Sequence, residues 1–233
     1  MSQHSVLDSS IIIKQSGGDK FVKKTIRLNT NLEKHTKEIF SFIGKYIDKL
    51  QSADIPLPKI IDSNFTHGQL TYICEYGGEN ILGMVKRGQL ENTINCTTIF
   101  NQIMGIIKKA QKTNTYFDPH PKNFVILNDK LSYVDFTPPW LEEYFDLRLS
   151  KAKGNEVKIL EDFFSCMHFK ELGFHLVGDL LKIDNNNYKN LSLLYQRLIK
   201  RGLIGKGYDE FIKKAKSIMK KERRREKKNI YLL

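Results

Sequence analysis

The sequence predicts an α+β fold in which a small antiparallel β region precedes a mainly helical remainder. Near the N-terminus, three short segments are rich in β-branched residues and are typical of strands, namely Val6-Leu7, Ile11 to Gln15 and Phe21 to Ile26. From Ile81 onward, apolar residues recur mostly at the three- and four-residue spacing of helices. With 233 residues and 40% apolar content, the chain is long enough to bury a core of this kind.

The N-terminal part of this prediction is a sheet with one covering helix. Ser16 to Asp19 contains two glycines between two strand segments, which is typical of a hairpin turn. Apolar residues at helical spacing predict an amphipathic helix from Leu32 to about Leu50. The residues that define it are Ile39, Ile43, Ile47 and Leu50. A further strand is expected from Gln69 to Tyr76.

The rest of the chain is predicted to be mostly helical. Ile81 to Thr113 is expected to include a long helix with a buried stripe formed by Ile99, Ile103, Ile106 and Ala110. Further helices are expected from Leu160 to Leu181 and from Leu191 to Ile204. A final basic helix is expected from about Tyr208.

One segment near the middle of the chain combines two polar loops with a predicted hairpin. It consists of Asp118-Pro119-His120-Pro121-Lys122-Asn123, the apolar run Phe124 to Leu127, the turn Asn128 to Lys130, and Leu131 to Phe136. The hairpin should return Asp135 to the side of Asn123. Asp and Asn beside proline also build ordinary turns. A carboxylate at the end of an apolar strand, however, is costly unless a charged group meets it.

This segment resembles the catalytic core of the protein-kinase-like superfamily. Asp118 and Asn123 have the spacing of the Asp and Asn in the kinase catalytic loop, and Asp135-Phe136 stands where kinases have D-F-G. The D-x-H-P-x-N form is similar to that of aminoglycoside and choline phosphotransferases and of the atypical kinases linked to coenzyme Q synthesis. The chain also resembles small RIO-like kinases in its compact size and basic tail, although their catalytic-loop residues differ. The resemblance implies a bilobal fold, with an N-lobe of residues 1–78 and a C-lobe of residues 79–233.

The same resemblance implies a phosphotransferase that uses ATP and Mg²⁺. Asp118 would orient the acceptor hydroxyl and accept its proton, while Asn123 and Asp135 would hold the metal on the nucleotide phosphates. The acceptor is expected to be a small molecule, because no activation segment or A-P-E signature follows Thr137. These motifs leave the identity of the acceptor open.

Further nucleotide contacts are implied near the N-terminus. Lys24 has the V-x-K spacing of the phosphate-contacting lysine, and Glu38 on the next helix is expected to pair with it, with Glu33 as the alternative. A strand lysine and a glutamate in the early turns of a helix also have purely structural explanations. Since no G-x-G-x-x-G is present, the hydroxyls of Ser9 and Ser10 are expected to contact the phosphates from a loop between the first two strands.

The segment Glu75-Tyr76-Gly77-Gly78 resembles the kinase hinge. In that role the backbone groups of Glu75 and Tyr76 would pair with adenine, and the glycines would give the chain room to cross between lobes. A strand followed by a turn explains the same residues without any ligand. The hinge assignment therefore depends on the neighbouring motifs.

The net charge of +12 is concentrated toward the C-terminus, where residues 213–228 contain ten Lys or Arg and two Glu. Such a segment can attract RNA or an acidic surface, and it can equally be a solvated helix end. Two alternatives to a small-molecule kinase follow. One is a catalytically weak kinase-like module that docks on RNA or an acidic partner, and the other is an atypical protein kinase.

The remaining features indicate a cytoplasmic protein. No run of 18 apolar residues predicts a transmembrane helix, and the first residues lack the pattern of a signal peptide. The three cysteines have no C-x-x-C spacing, which indicates reduced thiols. His120 is expected to shape its loop, and the other histidines, including His168 and His175, show no metal-ligand spacing with nearby Cys or carboxylates.

Overall fold

The structure, a computed structural model, describes residues 9–16, 19–87, 94–165, 168, 172–176, 195–204 and 207–227. Within these residues the fold is α+β, as the sequence predicts. The first sheet is antiparallel, with strand order β1-β2-β4-β3. Its strands are β1 (Ser9–Ser16), β2 (Asp19–Arg27), β3 (Ile60–Thr66) and β4 (Gln69–Glu75). The predicted strand at Val6-Leu7 lies outside the described residues.

The register of the first hairpin corrects one prediction. Ser16 pairs with Asp19, which confirms the turn between β1 and β2. Ser9 and Ser10, however, lie inside β1 and not in a loop, because β2 continues far enough to pair with both of them. Continued pairing satisfies backbone hydrogen-bonding groups that a loop would leave to solvent.

An amphipathic helix packs on this sheet. A short 3-10 turn (Glu33–His35) leads into α1 (Thr36–Ser52), so the α-helix begins four residues after the predicted start at Leu32. Its apolar stripe is buried, including Ile39, Ile43, Ile47 and Leu50, as the spacing predicts. Burial of such a stripe is the main source of stability for a helix of this length.

The predicted hairpin in the middle of the chain is confirmed. β6 (Phe124–Leu127) and β7 (Lys130–Tyr133) are antiparallel, and β5 (Glu79–Asn80) adds a short third strand at the edge of β6. Both turn residues have positive φ, at 48° for Asn128 and 60° for Asp129, which matches the twist of a two-residue hairpin. Gly78 is required beside this hairpin, because its φ is 105° and a Cβ there would lie 1.8 Å from the Ile126 carbonyl oxygen.

Six α-helices are labelled here in the described residues, and they depart from the prediction in the second half of the chain. After α1 they are α2 (Ile81–Lys86), α3 (Ile94–Lys112), α4 (Glu142–Lys151), α5 (Asn155–Phe164) and α6 (Tyr208–Lys227). Residues 172–176 and 195–200 are also helical. The buried stripe of α3 and the final basic helix are confirmed.

One helix prediction was wrong in its bounds, and one helix was not predicted. The helix expected from Leu160 to Leu181 is instead α5, which starts at Asn155 and ends at Phe164, with a separate helical stretch at 172–176. Helix α4 was not predicted, because its two buried residues are Tyr144 and Arg148. A buried arginine does not register in an apolar pattern, yet it is tolerated here beside Glu156, 3.2 Å away.

Among the described residues, no helix is long and apolar enough to cross a bilayer. The buried side chains form one core that extends from the first sheet and α1 to the helices of the second half. Aromatic rings are prominent in it, and Tyr72 on β4 meets Phe136 edge to face at 5.2 Å. The segment that follows β7 is thereby packed against the first sheet.

Candidate functional site

The hairpin β6-β7 places Asp135 beside Asn123. Phe124 and Tyr133 form the first residue pair of the hairpin, and beyond it the Val134 N–H donates to the Asn123 carbonyl at 2.9 Å. The pairing therefore extends to the residue before Asp135. The Asn123 side-chain N–H in turn donates to the Asp118 carbonyl at 3.0 Å, which ties the preceding loop to the same point.

Two buried tyrosines support the loop from below. The Asp118 N–H donates to the Tyr133 hydroxyl at 3.2 Å, and Tyr133 forms a side-chain hydrogen bond with Tyr46 of α1. The Tyr46 hydroxyl donates to the Tyr116 carbonyl at 3.1 Å. Burial, followed by the nearby Asp135 carboxylate, raises the pKa of Tyr46, so its hydroxyl stays protonated as a donor.

Asp135 is met by a cation from the first sheet. Lys24 Nζ on β2 lies 3.5 Å from Asp135 Oδ1 and donates to Thr137 Oγ1 at 2.5 Å. It also lies 5.4 Å from the centre of the Phe136 ring. The carboxylate that ends the hairpin thus has the charged partner that its position requires.

The electrostatics of Asp135 place several charges around one point. Burial raises the pKa of Asp135, the Lys24 ammonium lowers it, and the nearby Asp118 carboxylate raises it again. Lys122 lowers it as well, so a second cation faces this carboxylate. Asp118 and Asp135 are therefore close enough to interact, with Lys24 and Lys122 offsetting part of their mutual repulsion.

Asp118 also meets two buried histidines. His120 Nε2 lies 3.4 Å from Asp118 Oδ1, and the His120 and His175 rings are perpendicular at 5.7 Å between centroids. One ligating atom from each of the three residues lies within 4.8 Å of the others. The sequence showed no metal-ligand spacing for His175 because its neighbours here are 55 and 57 residues away along the chain.

The expected pair between Lys24 and Glu38 is not formed in the structure. Glu38 lies in the first turn of α1, its side chain is 50% exposed, and its carboxylate contacts His35 at 2.9 Å. The alternative, Glu33, faces His67 at 3.8 Å. Helix α1 turns its apolar stripe toward the sheet and α4, so a residue beside that stripe at its start points outward.

Two of the backbone groups expected to contact adenine at the hinge already have partners within the protein. The Glu75 N–H donates to the Lys59 carbonyl at 2.9 Å, and the Tyr76 N–H donates to the Lys20 carbonyl at 3.1 Å. These two N–H groups are therefore already used within the protein. Any adenine contact at Glu75 and Tyr76 has to involve other backbone groups. Ser9 and Ser10, as described above, belong to a paired strand.

The residues present suit a hard divalent cation such as Mg²⁺. Asp135 offers carboxylate oxygens. The Asn123 amide N–H donates to Asp118, which leaves the Asn123 amide oxygen as a second possible metal ligand. Oxygen ligands of this kind, with phosphate oxygens, are what Mg²⁺ prefers. Asp135 and Asn123 are thus the residues that would hold it.

Three residues of the site were not identified from the sequence. Tyr46 is a core position by its spacing, Thr137 replaces the glycine of the kinase pattern, and Lys122 is an unspecified position of D-x-H-P-x-N. Local patterns do not mark Tyr46 or Thr137. Lys122 alone had an available signal, since a lysine between two motif residues faces the same loop.

No family model matches the chain, and no curated protein matches it in sequence.

Proposed function

We propose that the protein is a Mg²⁺- and ATP-dependent phosphotransferase of kinase-like bilobal form, with residues 1–78 and 79–233 as its two lobes. The observation that supports this most is the convergence of Asp118, Asn123, Asp135 and Lys24 from three separate parts of the chain. Phosphoryl transfer needs little covalent participation by the protein and depends on positioning and charge neutralisation. A braced carboxylate pair with a lysine supplies both.

Asp118 is suited to orient an acceptor hydroxyl and to take its proton. Its backbone is held from two sides, by Tyr133 at the N–H and by Asn123 at the carbonyl. Its side chain is 13% exposed, so it is reachable and largely shielded. A positioned base of this type contributes about 10²- to 10⁴-fold to a rate.

Lys24 and Asp135 are suited to a ligand that carries both signs of charge. Lys24 would contact the phosphates, while Asp135 and Asn123 would hold the cation that accompanies them. When bound, Mg²⁺ neutralises charge on the transferred group. The Lys24 ammonium contacts both Thr137 and Asp135. These two contacts hold it near Asp135 without a glutamate from α1.

The segment after Asp135 favours a small-molecule acceptor. Phe136 to Leu141 is buried, and it leads directly into α4 at Glu142. Protein kinases instead carry a long segment here that contacts their protein substrates. We place the activity in the cytoplasm, where ATP is supplied, as the sequence predicts.

A transfer assay tests the proposal. Purified protein is incubated with radiolabelled ATP, Mg²⁺ and separate pools of sugars, amino alcohols, aminoglycosides and mixed cell protein. We expect label in one small-molecule pool, loss of transfer on chelation of Mg²⁺, and a loss of about 10²- to 10³-fold in Asp135→Asn. Asp62→Asn on the exposed strand β3 is the matched control.

Full transfer by Asp135→Asn would show that the site is assigned wrongly. Label in the protein pool alone would favour the atypical protein kinase instead. If no pool is labelled, Mg-ATP should still raise the melting temperature of the native protein and not that of Asp135→Asn. A protein that fails both measurements is not a nucleotide-dependent enzyme.

A second candidate function, docking on RNA, is favoured by the surface of α6. Four cations line one side of this helix and are exposed: Lys213, Lys216, Lys220 and Arg224. With about 3.6 residues per turn, they lie within roughly a quarter turn of one another. Phe211 and Ala215 are buried on the opposite side, so the helix packs against the rest of the protein at these two positions.

This arrangement suits a phosphate backbone better than a membrane or a protein. A membrane-bound helix needs an uncovered apolar face, and a stable protein interface needs aromatic or aliphatic anchors at its centre. Between the cations the exposed side offers Ser217, a hydroxyl, which suits contact with the 2′-hydroxyl of duplex RNA.

Fluorescence anisotropy with duplex RNA tests this candidate. Replacing Lys213, Lys216 and Lys220 by Glu should weaken binding at least tenfold and flatten its salt dependence, by about 0.9 in log-log slope per lost phosphate contact if the value for B-DNA applies. The matched control replaces three exposed lysines by Glu: Lys34 in the 3-10 turn before α1, and Lys37 and Lys45 in α1. Equal loss in both variants would indicate a net-charge effect and exclude a docking site on α6.

A further inference from the structure

We infer that the protein binds a transition-metal ion, with Zn²⁺ as the test case, through Asp118, His120 and His175. The site is separate from the Mg²⁺ ligands proposed above, which are Asn123 and Asp135. It joins the loop before the hairpin to the helical residues 172–176. Its ligands come from two parts of the chain that only the fold brings together.

The distances between the ligating atoms are close to those of a tetrahedral site. Two donors at about 2.1 Å from a tetrahedral zinc ion lie about 3.4 Å apart. His120 Nε2 and Asp118 Oδ1 are 3.4 Å apart in the structure. No separation within the set of three exceeds 4.8 Å. For the three donors to share one ion, His175 therefore has to approach by about 1.4 Å at most.

Burial adds to the argument from distance. His120 is 1% exposed and His175 is fully buried, whereas Asp118 retains a path to solvent at 13%. Within the described part of the chain, Asp118 Oδ1 is buried and accepts no hydrogen bond. A buried carboxylate oxygen whose near neighbour is an imidazole nitrogen at 3.4 Å, without a hydrogen bond between them, can accept a metal ion. A divalent ion beside it would supply a positive partner.

The donor set selects the class of metal. Two imidazole nitrogens and one carboxylate oxygen suit Zn²⁺ or Co²⁺ better than Mg²⁺, which prefers oxygen alone. The set has three protein ligands, which leaves a fourth position for water or a small anion, as in zinc sites that remain open. The oxygen ligands near Asp135 would accordingly select Mg²⁺, and the mixed nitrogen and oxygen ligands at Asp118 would select Zn²⁺.

A metal bound here would inhibit phosphotransfer. Asp118 cannot accept a proton from an acceptor hydroxyl while its carboxylate ligates a metal, so an occupied site should block transfer. This consequence rests on the proposed function. The binding of metal does not, and it can be measured without nucleotide.

Cobalt spectroscopy on the native protein without nucleotide tests the binding. We expect one equivalent of Co²⁺ to produce the visible bands of a four-coordinate ion, without the intense near-ultraviolet absorption of thiolate ligands, and Zn²⁺ to displace it. His175→Gln should weaken the binding of both ions at least tenfold. His168→Gln, at an exposed histidine, is the matched control and should bind like the native protein.

A second variant guards against misfolding at the buried position. Asp118→Asn keeps both histidines and should also weaken Co²⁺ binding at least tenfold, with circular dichroism confirming the fold of each variant. The proposal is overturned if native protein gives no four-coordinate spectrum, if thiolate bands dominate, or if both variants bind as the native protein does.

Transfer assays then separate the two proposals. Zn²⁺ should inhibit native transfer, and His175→Gln should need at least tenfold more Zn²⁺ for the same fractional inhibition. Native inhibition that the variant fully retains would overturn inhibition through this site. If transfer is never detected, the cobalt result still decides the metal site. If transfer is detected and cobalt does not bind, only the metal site is lost.

Discussion

The loop and hairpin at residues 116–137 and the N-terminal region at residues 9–52 both contain residues expected at one site, and they differ in how those residues are held. In the hairpin region, Asn123, Val134 and Asp118 are joined by short-range hydrogen bonds. In the N-terminal region, Lys24 reaches the site, whereas Glu38 contacts its neighbour His35. Residues positioned by the backbone pairing of the hairpin lie together as expected. Glu38, whose position depends on the direction of its side chain from α1, lies away from Lys24.

The difference teaches which kinds of sequence evidence carry positional information. A two-residue hairpin sets the register of its strands, and that register places the residues at both ends. An amphipathic helix is oriented only by its apolar stripe, and the polar residues beside the stripe are free to point outward.

The largest effect is expected at Asp118. Asp118→Asn should lower the turnover of phosphotransfer by about 10²- to 10⁴-fold, because it removes the positioned proton acceptor. Binding of Mg-ATP, measured by thermal shift, should persist. The control is Asp129→Asn, the same substitution at the exposed hairpin turn, where positive φ suits asparagine. Equal turnover in the two variants would contradict the assignment.

A smaller loss is expected when the support beneath the loop is removed. Tyr133→Phe should lower the free energy of unfolding by about 1 to 3 kcal/mol, because it leaves the partly buried Asp118 N–H without its acceptor. Urea denaturation measures this. Tyr144→Phe is the matched control, since the buried Tyr144 hydroxyl makes no hydrogen bond within the described residues. It should be neutral or stabilising. A neutral result for Tyr133→Phe would show that the tyrosines do not hold the loop.

Asp135 should make stability depend on pH in an unusual direction. Since burial raises its pKa in the folded protein, the folded state binds a proton more readily than the unfolded chain. Its contribution is fully present below the unfolded pKa, near 3.8, and is lost as pH rises through the folded pKa. Asp135→Asn should therefore melt at a higher temperature than the native protein at pH 7, and the difference should shrink toward pH 4.

Exposed Asp62→Asn serves as the reference in these melts, because it shares the charge change without the burial. A destabilised Asp135→Asn at pH 7 would mean that the contact with Lys24 outweighs the cost of burying the carboxylate. The pKa of Asp135 in the folded protein would then be lowered and not raised.

The smallest effect is expected in the N-terminal region. Glu38→Gln should change the free energy of unfolding by less than about 0.5 kcal/mol, because the partner of its carboxylate among the described residues is His35, at the surface. Phosphotransfer should change by less than about twofold, which corresponds to about 0.4 kcal/mol. A loss comparable to that of Asp118→Asn would show that Glu38 moves to Lys24 during the reaction.

Much of the fold was predictable because it is encoded in short stretches. The stripe of α1 and the stripe of α3 follow helical spacing, and the hairpin β6-β7 follows from two apolar runs around Asn128-Asp129. Helix α4 escaped prediction because Arg148, a charged residue, occupies its buried face. Apolar periodicity cannot detect a buried residue whose charge is met by a neighbouring helix.

The candidate site divides along the same line. Asp118, Asn123 and Asp135 could be proposed as neighbours because one loop and one hairpin connect them within eighteen residues. The assignment of Lys24 to Asp135 and Thr137 depends on packing between segments 113 residues apart. The position of Tyr46 near the Asp118 and Asp135 carboxylates also depends on packing between distant segments.

The sequence alone determined the α+β composition, the helical stripes and the local order of polar residues around the hairpin, because periodicity and turn chemistry act over a few residues. Only the tertiary structure decided which distant side chains meet these residues: Lys24 at Asp135, Tyr46 under the loop and His175 beside Asp118. The physical reason is that side-chain partners across the core are chosen by how whole elements pack, and no local pattern records that choice.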